Sequence, residues 1–187
     1  MTVRIKDILE RLNQEAPFSL AEPWDNVGLL VGNLEQEVTA VLAALDPTNN
    51  LVDEAIAKGV NTIITHHPVI FKPLPAINTG DPSGRLLEKV LSKRISIIGC
   101  HTNFDSCEEG VSDVLAHQLG LQDLTPLISA TGEQNDQTGL GRLGLYHSPL
   151  TPADFISRLL DVLGLPSVQM AGNLPEKISR VAVCGGS

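Results

Sequence analysis

The chain has 187 residues, of which 42% are hydrophobic and 19% are charged, which is the composition of a globular protein. The 22 acidic and 13 basic residues give a net charge of −9, which argues against wrapping nucleic acid through its phosphates. There is no apolar run of transmembrane length, and three cysteines without a paired framework suit a reducing compartment. We therefore expect a cytoplasmic protein with no membrane partner.

Helices and strands alternate along the first two thirds of the sequence. The chain opens with an amphipathic helix, "MTVRIKDILERLNQEAP". The predicted strands that follow are 27–31, "VTAVLAALDPT", 60–65 and "ISIIGC", and the predicted helices are "NNLVDEAIAKG", "SGRLLEKVLSKR" and "GVSDVLAHQLG". Because these strands are apolar on both faces, we predict an α/β fold with a parallel-rich sheet flanked by helices.

A polar stretch at 128–139 indicates a boundary between two lobes. We predict an α/β lobe at 1–128 and the start of a second, smaller α/β lobe at 129–187. In the second part, "GRLGLYHS", "SVQM" and "ISRVAVCGGS" are predicted strands, and "TPADFISRLLDVLGL" is a predicted helix with Thr151 as its N-cap. The sequence ends directly after a strand and a glycine turn, so we expect the polypeptide to continue beyond Ser187.

Two of the predicted strands finish on polar clusters. His66 and His67 follow strand 60–65, and His101 and Asp105 follow "ISIIGC". One helix and one strand separate the clusters, which is the length of a crossover that makes neighbouring strands parallel. Such strands bring their carboxyl ends to one edge of the sheet, where ligands bind. Imidazole and carboxylate groups together suit zinc, manganese, iron, nickel or cobalt, so the sequence predicts a metal site.

Other interpretations of these residues remain open. His67 precedes a proline and can be a turn residue, and Asp105 can be the N-cap of the following helix. Cys100 and Cys107 flank the second cluster as soft metal ligands or as core residues, and we favour the core for Cys100.

The segment "GLGRLG" at 139–144 matches the glycine pattern of dinucleotide-binding loops. Those loops need a strand before them and a helix that opens within them. Here a polar stretch precedes the motif and no helix is predicted before Thr151. We reject a nucleotide loop and interpret the motif as a turn that enters a strand.

Three segments, "PWDNVGLLVG", "ITHHPVIFKPL" and "IGCHTNFDSCEEGVSDVLAHQLGL", occur in this order and precede "GLGRLG". Together they resemble the Nif-three-like family, whose members are known as GTP cyclohydrolase 1 type 2. The resemblance implies two α/β lobes around a dinuclear metal site, and a toroidal homohexamer. By position it assigns His66, His67 and Asp105 as metal ligands. The family completes its site with a His and a Glu four residues apart near the C-terminus, and this sequence has no such pair.

The resemblance also implies an activity. It points to a hydrolase with two divalent transition-metal ions that acts on a nucleotide or related small molecule, opening the imidazole ring of GTP with water. Trp24, Asp25 and Asn26 would line the pocket, and His101 would be the catalytic residue that transfers the proton. Lys72 would steady a phosphate or be a solvated surface lysine. The alternatives are a metal-binding oligomeric scaffold or regulatory partner, and a metal-dependent phosphoesterase.

Overall fold

The structure is a computed structural model that describes residues 2–132 and 137–185. These residues form two compact units, Met1–Phe104 and Asp105–Ser187. The sequence-based division at 128/129 differs from this one because residue 128 lies inside a strand of the second unit's sheet. Part of the predicted boundary segment, 133–136, and the end of the predicted final turn, 186–187, lie outside the described residues.

The first unit contains a four-stranded sheet with helices on both faces. Its helices are α1 (Ile5–Glu15), α2 (Asn49–Lys58) and α3 (Pro82–Ser92), and its strands are β1 (Gly28–Val31), β2 (Val41–Ala44), β3 (Thr62–Thr65) and β4 (Ser96–Gly99). The strand order is β1-β4-β3-β2. Strands β2, β3 and β4 run parallel, and β1 pairs with β4 in the antiparallel sense. The predicted α/β fold with a parallel-rich sheet is confirmed.

The two central strands explain why the sequence is apolar at successive positions. Ile63 and Ile97 are fully buried in a cluster with residues of α2 and α3. Ile98 is equally buried but packs with Ile5 of α1 on the opposite face. Because neighbouring strand residues point to opposite faces, both faces of a covered sheet must be apolar.

Strand β2 differs from its prediction as a buried strand. Its four residues alternate between exposed and half-buried, and Val41 is 44% exposed. The reason is its place in the strand order, because β2 pairs only with β3 and forms an edge of the sheet.

The second unit contains an antiparallel sheet and two main helices. Its strands are β5 (Gln122–Ser129), β6 (Gly139–Leu150) and β7 (Ile178–Val183), in the order β5-β6-β7. A short helix, α4 (Thr102–Ser106), spans the border between the units, and α5 (Val111–Gln118) and α6 (Pro152–Leu163) follow. Strand β5 was not predicted, and the predicted strand "SVQM" is wrong because residues 167–170 lie outside both sheets.

The other predicted features of this unit are present. Helix α6 begins after Thr151, whose hydroxyl accepts a hydrogen bond of 3.2 Å from the backbone N–H of Asp154. The "GLGRLG" segment lies in β6 itself, which begins at Gly139, so it opens a strand and not a helix. Within the described ranges 2–132 and 137–185, every helix is too short or too polar to cross a membrane.

A buried ion pair holds the start of β6. Arg142 is 1% exposed; its Nε donates to Oδ1 of Asp113 at 2.7 Å, and its Nη2 lies 2.6 Å from Oδ2 of the same carboxylate as an ion pair. The same side chain donates to the backbone carbonyls of Cys107, Gly139 and Gly141. Each nitrogen atom of the guanidinium therefore has a hydrogen-bond acceptor, which is the condition for burying a charge without a large penalty.

Candidate metal centre

One end of each of the four strands lies along the same edge of the first unit's sheet, at the carboxyl ends of the parallel strands. The register aligns Ala44 of β2 with Thr65 of β3, and Thr65 with Gly99 of β4, so the three parallel strands end together. Strand β1 runs the other way, and its first residue, Gly28, pairs with Gly99. The residues just before β1 therefore lie at the same edge as the residues just after β2, β3 and β4.

Three histidines occupy this edge. His66 and His67 follow β3 directly, and His101 comes two residues after β4. Each offers one ligand atom, and these atoms all lie within 4.8 Å of one another. The ring centroids are 5.1, 5.2 and 5.7 Å apart. The sequence expectation that these imidazoles converge agrees with this geometry, while their individual roles stay predictions.

The three imidazoles share one hydrogen-bonding arrangement, in which Nδ1 meets an oxygen acceptor. The acceptors are the Cys100 carbonyl for His66 at 2.9 Å, the Asp46 carboxylate for His67 at 2.7 Å, and the Asp25 carboxylate for His101 at 2.8 Å. A ring that donates from Nδ1 carries its lone pair on Nε2, which is then the atom for a metal or a proton. Metal-binding histidines characteristically have such a partner, which fixes both tautomer and ring orientation.

Asp25 is the more enclosed of the two carboxylate partners, because its side chain is fully buried whereas that of Asp46 is 55% exposed. It accepts hydrogen bonds from His101, from the backbone N–H of Asn26, and from both the hydroxyl and the backbone N–H of Thr102. Burial by itself raises the pKa of Asp25, but these hydrogen bonds outweigh it and hold the pKa below its usual value. The carboxylate therefore stays ionised and can hold the His101 ring in place.

Two exposed aromatic rings stand beside His101. Trp24 is 60% exposed and Phe71 is 42% exposed. Their ring centroids lie 5.9 Å apart, and they lie 6.4 and 6.2 Å from the imidazole of His101. His101 is thus in ring contact both with the other two imidazoles and with the aromatic pair.

The family model for Duf34/NIF3 (NGG1p interacting factor 3) matches residues 3–187 of this chain. The chain belongs to the Duf34/NIF3 family. It is 34% identical to a protein of Clostridium acetobutylicum named GTP cyclohydrolase 1 type 2 homolog, covering 100% of this chain and 69% of that relative. It is 45% identical over 173 residues to a Staphylococcus aureus protein of the same name, covering 91% of this chain and 44% of the relative.

Solved structures also resemble this member of the Duf34/NIF3 family. The Staphylococcus aureus hypothetical protein SA1388 superposes with a TM-score of 0.88 at 34% identity, covering 100% of this chain and 73% of that one. Reduced HcgD from Methanocaldococcus jannaschii gives a TM-score of 0.73 at 30% identity, covering 86% and 60%. The chain therefore spans only part of the length of the proteins that it matches.

Asp105, the predicted carboxylate ligand, belongs to the second unit of this family member. It lies in α4 with 5% of its surface exposed. Its alternative interpretation as the N-cap of the next helix is wrong, because Gly110 occupies that position in α5. Its assignment as a metal ligand stays a prediction.

The two cysteines considered as ligands are both buried. Cys100 is 7% exposed and packs with Ile5 and Ile98, as expected for a core residue. Burial raises the pKa of the Cys107 thiol, which disfavours the thiolate that a metal would need. The donor set is thus dominated by imidazole nitrogen, which suits divalent transition-metal ions.

Sequence reasoning missed Asp46 altogether and treated Asp25 only as a pocket residue. Asp46 follows β2 as the histidines follow β3, so its place after a third parallel strand was an available signal. Asp25 precedes β1, and its position depends on the antiparallel pairing of β1 with β4, which has no local sequence signal.

Proposed function

We propose that this Duf34/NIF3 protein is a metal-dependent hydrolase that acts on a nucleotide or a related small molecule. The observation that carries the proposal is the triad of imidazoles within 4.8 Å, each with Nδ1 held by an oxygen acceptor. The name GTP cyclohydrolase 1 type 2 homolog, which the relatives carry, points to opening of the guanine imidazole ring by water.

In this proposal His66, His67 and Asp105 hold two divalent transition-metal ions. When bound, such ions supply Lewis acidity and lower the pKa of a water molecule. The Cys100 carbonyl and the Asp46 carboxylate accept from Nδ1 of His66 and His67, which selects the neutral tautomer with its lone pair on Nε2, the atom that would bind a metal.

His101 takes the role of the proton-transferring residue. Its Nε2 accepts a proton, and the ionised Asp25 at Nδ1 stabilises the imidazolium that results. The side chain of His101 is 18% exposed, so the proton can still reach solvent. If His101 is instead a third metal ligand, the same hydrogen bond would orient it for that purpose, and the two roles differ in what its removal does.

Metal content tests the ligand assignment. The 187-residue protein is loaded with zinc or manganese, freed of excess metal, and measured by elemental analysis. His66→Ala and His67→Ala should each lower the bound metal, because each removes one oriented nitrogen. His147→Ala is the matched control, since His147 is also bonded to an aspartate, Asp123, but is exposed on β6. Equal metal content in all three variants would refute the assignment.

His101→Gln separates the two roles of His101. If His101 transfers the proton, His101→Gln should lower turnover by about 10²–10⁴-fold, while the amount of bound metal stays near its original level. A fall in metal content to the level of His66→Ala would make His101 a ligand instead.

Turnover tests the activity itself. Metal-loaded protein should consume GTP with loss of the purine absorbance, chelator should stop the reaction, and restored metal should return it. A parallel set of phosphoesters tests the phosphoesterase alternative. If metal is bound and no nucleotide or phosphoester is converted, the binding scaffold replaces the hydrolase. Homohexamer formation, measured by light scattering, is a separate prediction.

A further inference from the structure

We propose that Trp24 and Phe71 form a stacking platform that binds the planar ring of the substrate next to His101. The inference rests on the proposed function, because it names the part of the substrate that the same site recognises. The ligand class is a planar aromatic heterocycle, such as a nucleobase, recognised through its face and not through a phosphate.

The exposure of the two rings is the first argument. Aromatic residues make up only 3% of the sequence, and Trp24 is the sole tryptophan. Tryptophan is highly buried on average, yet 60% of Trp24 is exposed, beside a Phe71 that is 42% exposed. Adjacent exposed aromatic side chains cost free energy in water and commonly mark binding sites.

The angles between the rings are the second argument. Trp24 and Phe71 meet at 65°, and they meet the imidazole of His101 at 76° and 83°. In these edge-to-face contacts none of the three rings is stacked flat on another, so face-to-face stacking is still available to a flat ligand. His101 also lies 5.2 Å from His66 and 5.7 Å from His67, ring to ring, so a stacked ligand would lie beside the candidate metal ligands.

The third argument is that both aromatic residues stand on a fixed backbone. The side-chain amide of Asn26 donates to the carbonyl of Ile70 at 2.5 Å, which ties the loop of Trp24 to the loop of Phe71. The fully buried Asp25 holds the same loop to His101. Exposed rings on pre-organised loops lose little conformational entropy when a ligand binds, which favours affinity.

The single tryptophan gives a direct readout. Zinc-loaded protein is titrated with guanosine, which has the ring without a phosphate, and with ribose 5-phosphate, which has the phosphate without the ring. Guanosine should quench Trp24 fluorescence saturably after correction for absorbed light, whereas ribose 5-phosphate should leave it unchanged. Quenching by ribose 5-phosphate alone, or by neither compound, would overturn the platform.

Variants locate the binding surface. Phe71→Leu keeps an apolar side chain but removes the ring, and should weaken guanosine binding by about 5- to 100-fold, the range measured for stacking on one aromatic residue. Leu91→Ala is the matched control, because Leu91 is 54% exposed at the end of α3, near the opposite edge of the sheet. An equal loss in both variants would overturn the proposal.

A rescue experiment addresses Trp24 by equilibrium dialysis with labelled guanosine. Trp24→Ala should lose binding, and Trp24→Tyr should recover most of it, because a tyrosine ring can also stack. A second copy of this chain is the competing occupant of these rings. Protection of Trp24 from acrylamide that depends on protein concentration, without nucleoside, would assign the rings to that contact and overturn the platform.

The outcome is separable from that of the proposed hydrolase. Guanosine binding with no turnover of any nucleotide would keep the platform and refute the hydrolase. Metal-dependent turnover of GTP that is unaffected by Phe71→Leu and Trp24→Ala would keep the hydrolase and refute the platform.

Discussion

The two edges of the first unit's sheet are both polar, but they use their polar groups differently. At the carboxyl edge of the parallel strands, the Nδ1 atoms of three histidines bond to oxygen acceptors, and each ring offers one ligand atom that lies within 4.8 Å of the other two. At the opposite edge two of the polar side chains are Gln36 and Asn61. Asn61 donates to the Glu37 carbonyl at 2.7 Å and accepts from the backbone N–H of Thr39 at 3.0 Å.

Gln36 is committed in the same way. Its amide donates to the Arg94 carbonyl at 2.7 Å and accepts from the Ser96 hydroxyl at 3.3 Å. A cavity of about 670 Å³ lies at this edge, lined in part by both amides. This concave surface is therefore next to side chains that bond to the backbone, while the three histidines lie at the other edge. A concave surface by itself does not identify a binding site, whereas a group of potential ligand atoms that lie close together does indicate one.

The largest expected effect is at the carboxyl edge. Asp25→Asn replaces an oxygen that accepts from Thr102 or His101 with an N–H₂ group, so one buried hydrogen bond becomes a clash of donors. We expect zinc affinity or turnover to fall by about 10–100-fold, as for other partners of metal-binding histidines. Calorimetric titration with zinc measures the first quantity. Unchanged binding and turnover would mean that His101 needs no orientation from Asp25.

At the opposite edge, Asn61→Ala should have a different kind of effect. It leaves the N–H of Thr39 and the carbonyl of Glu37 without their side-chain contacts, so the free energy of unfolding should fall by about 1–2 kcal/mol. Zinc affinity of the folded protein should stay the same. Urea denaturation and zinc titration on one preparation check both statements. A loss of zinc affinity would show that the two edges are coupled.

The smallest effects concern the helix ends that lead into the strands. Gly59 ends α2 with φ 66°, and Arg94 follows α3 with φ 53°, so both occupy the left-handed region. A Cβ at Gly59 would meet nothing within 4 Å, so Gly59→Ala should cost about 0.5 kcal/mol, because its backbone strain exceeds the conformational entropy that alanine saves on folding. Arg94→Gly should stabilise the protein by about 0.5 kcal/mol, since glycine relieves that strain but loses more entropy on folding. Thermal unfolding of the pair should give shifts of opposite sign.

The sequence predicted the parts of the fold that follow from local patterns. Strands β3 and β4 are β-branched and buried, and a helix of the right length joins them, so their parallel pairing and the meeting of His66 with His101 followed from topology. Helix α6 was equally visible because of its N-cap Thr151.

The parts that the sequence did not predict depend on long-range pairing. Strand β5 contains Pro126 and has Asp123 in the left-handed region, so its local preference is poor and β6 supplies the order. The segment "SVQM" is the opposite case, because it has a strand-like pattern but pairs with no strand of either described sheet. Asp25 reaches the site only because β1 runs antiparallel beside β4, and residues far apart in the chain decide that direction.

Because β2 is an edge strand, the residues of the candidate site are not all held equally firmly by the sheet. His66 and His101 extend from the two central strands, whereas Asp46, which orients His67, extends from the half-exposed strand at the border of the sheet. The backbone N–H groups of His66 and His67 also bond to the Ala44 and Leu45 carbonyls at 3.2 and 2.9 Å. Edge strands fray at lower free energy than central ones, so transient separation of β2 would release the His67 ring first and leave the other two imidazoles in place. If His67 holds a metal ion as proposed, the contact between His67 and the ion would be the first to open. The rate of metal exchange would then be set by local opening of β2 and not by unfolding of the whole unit.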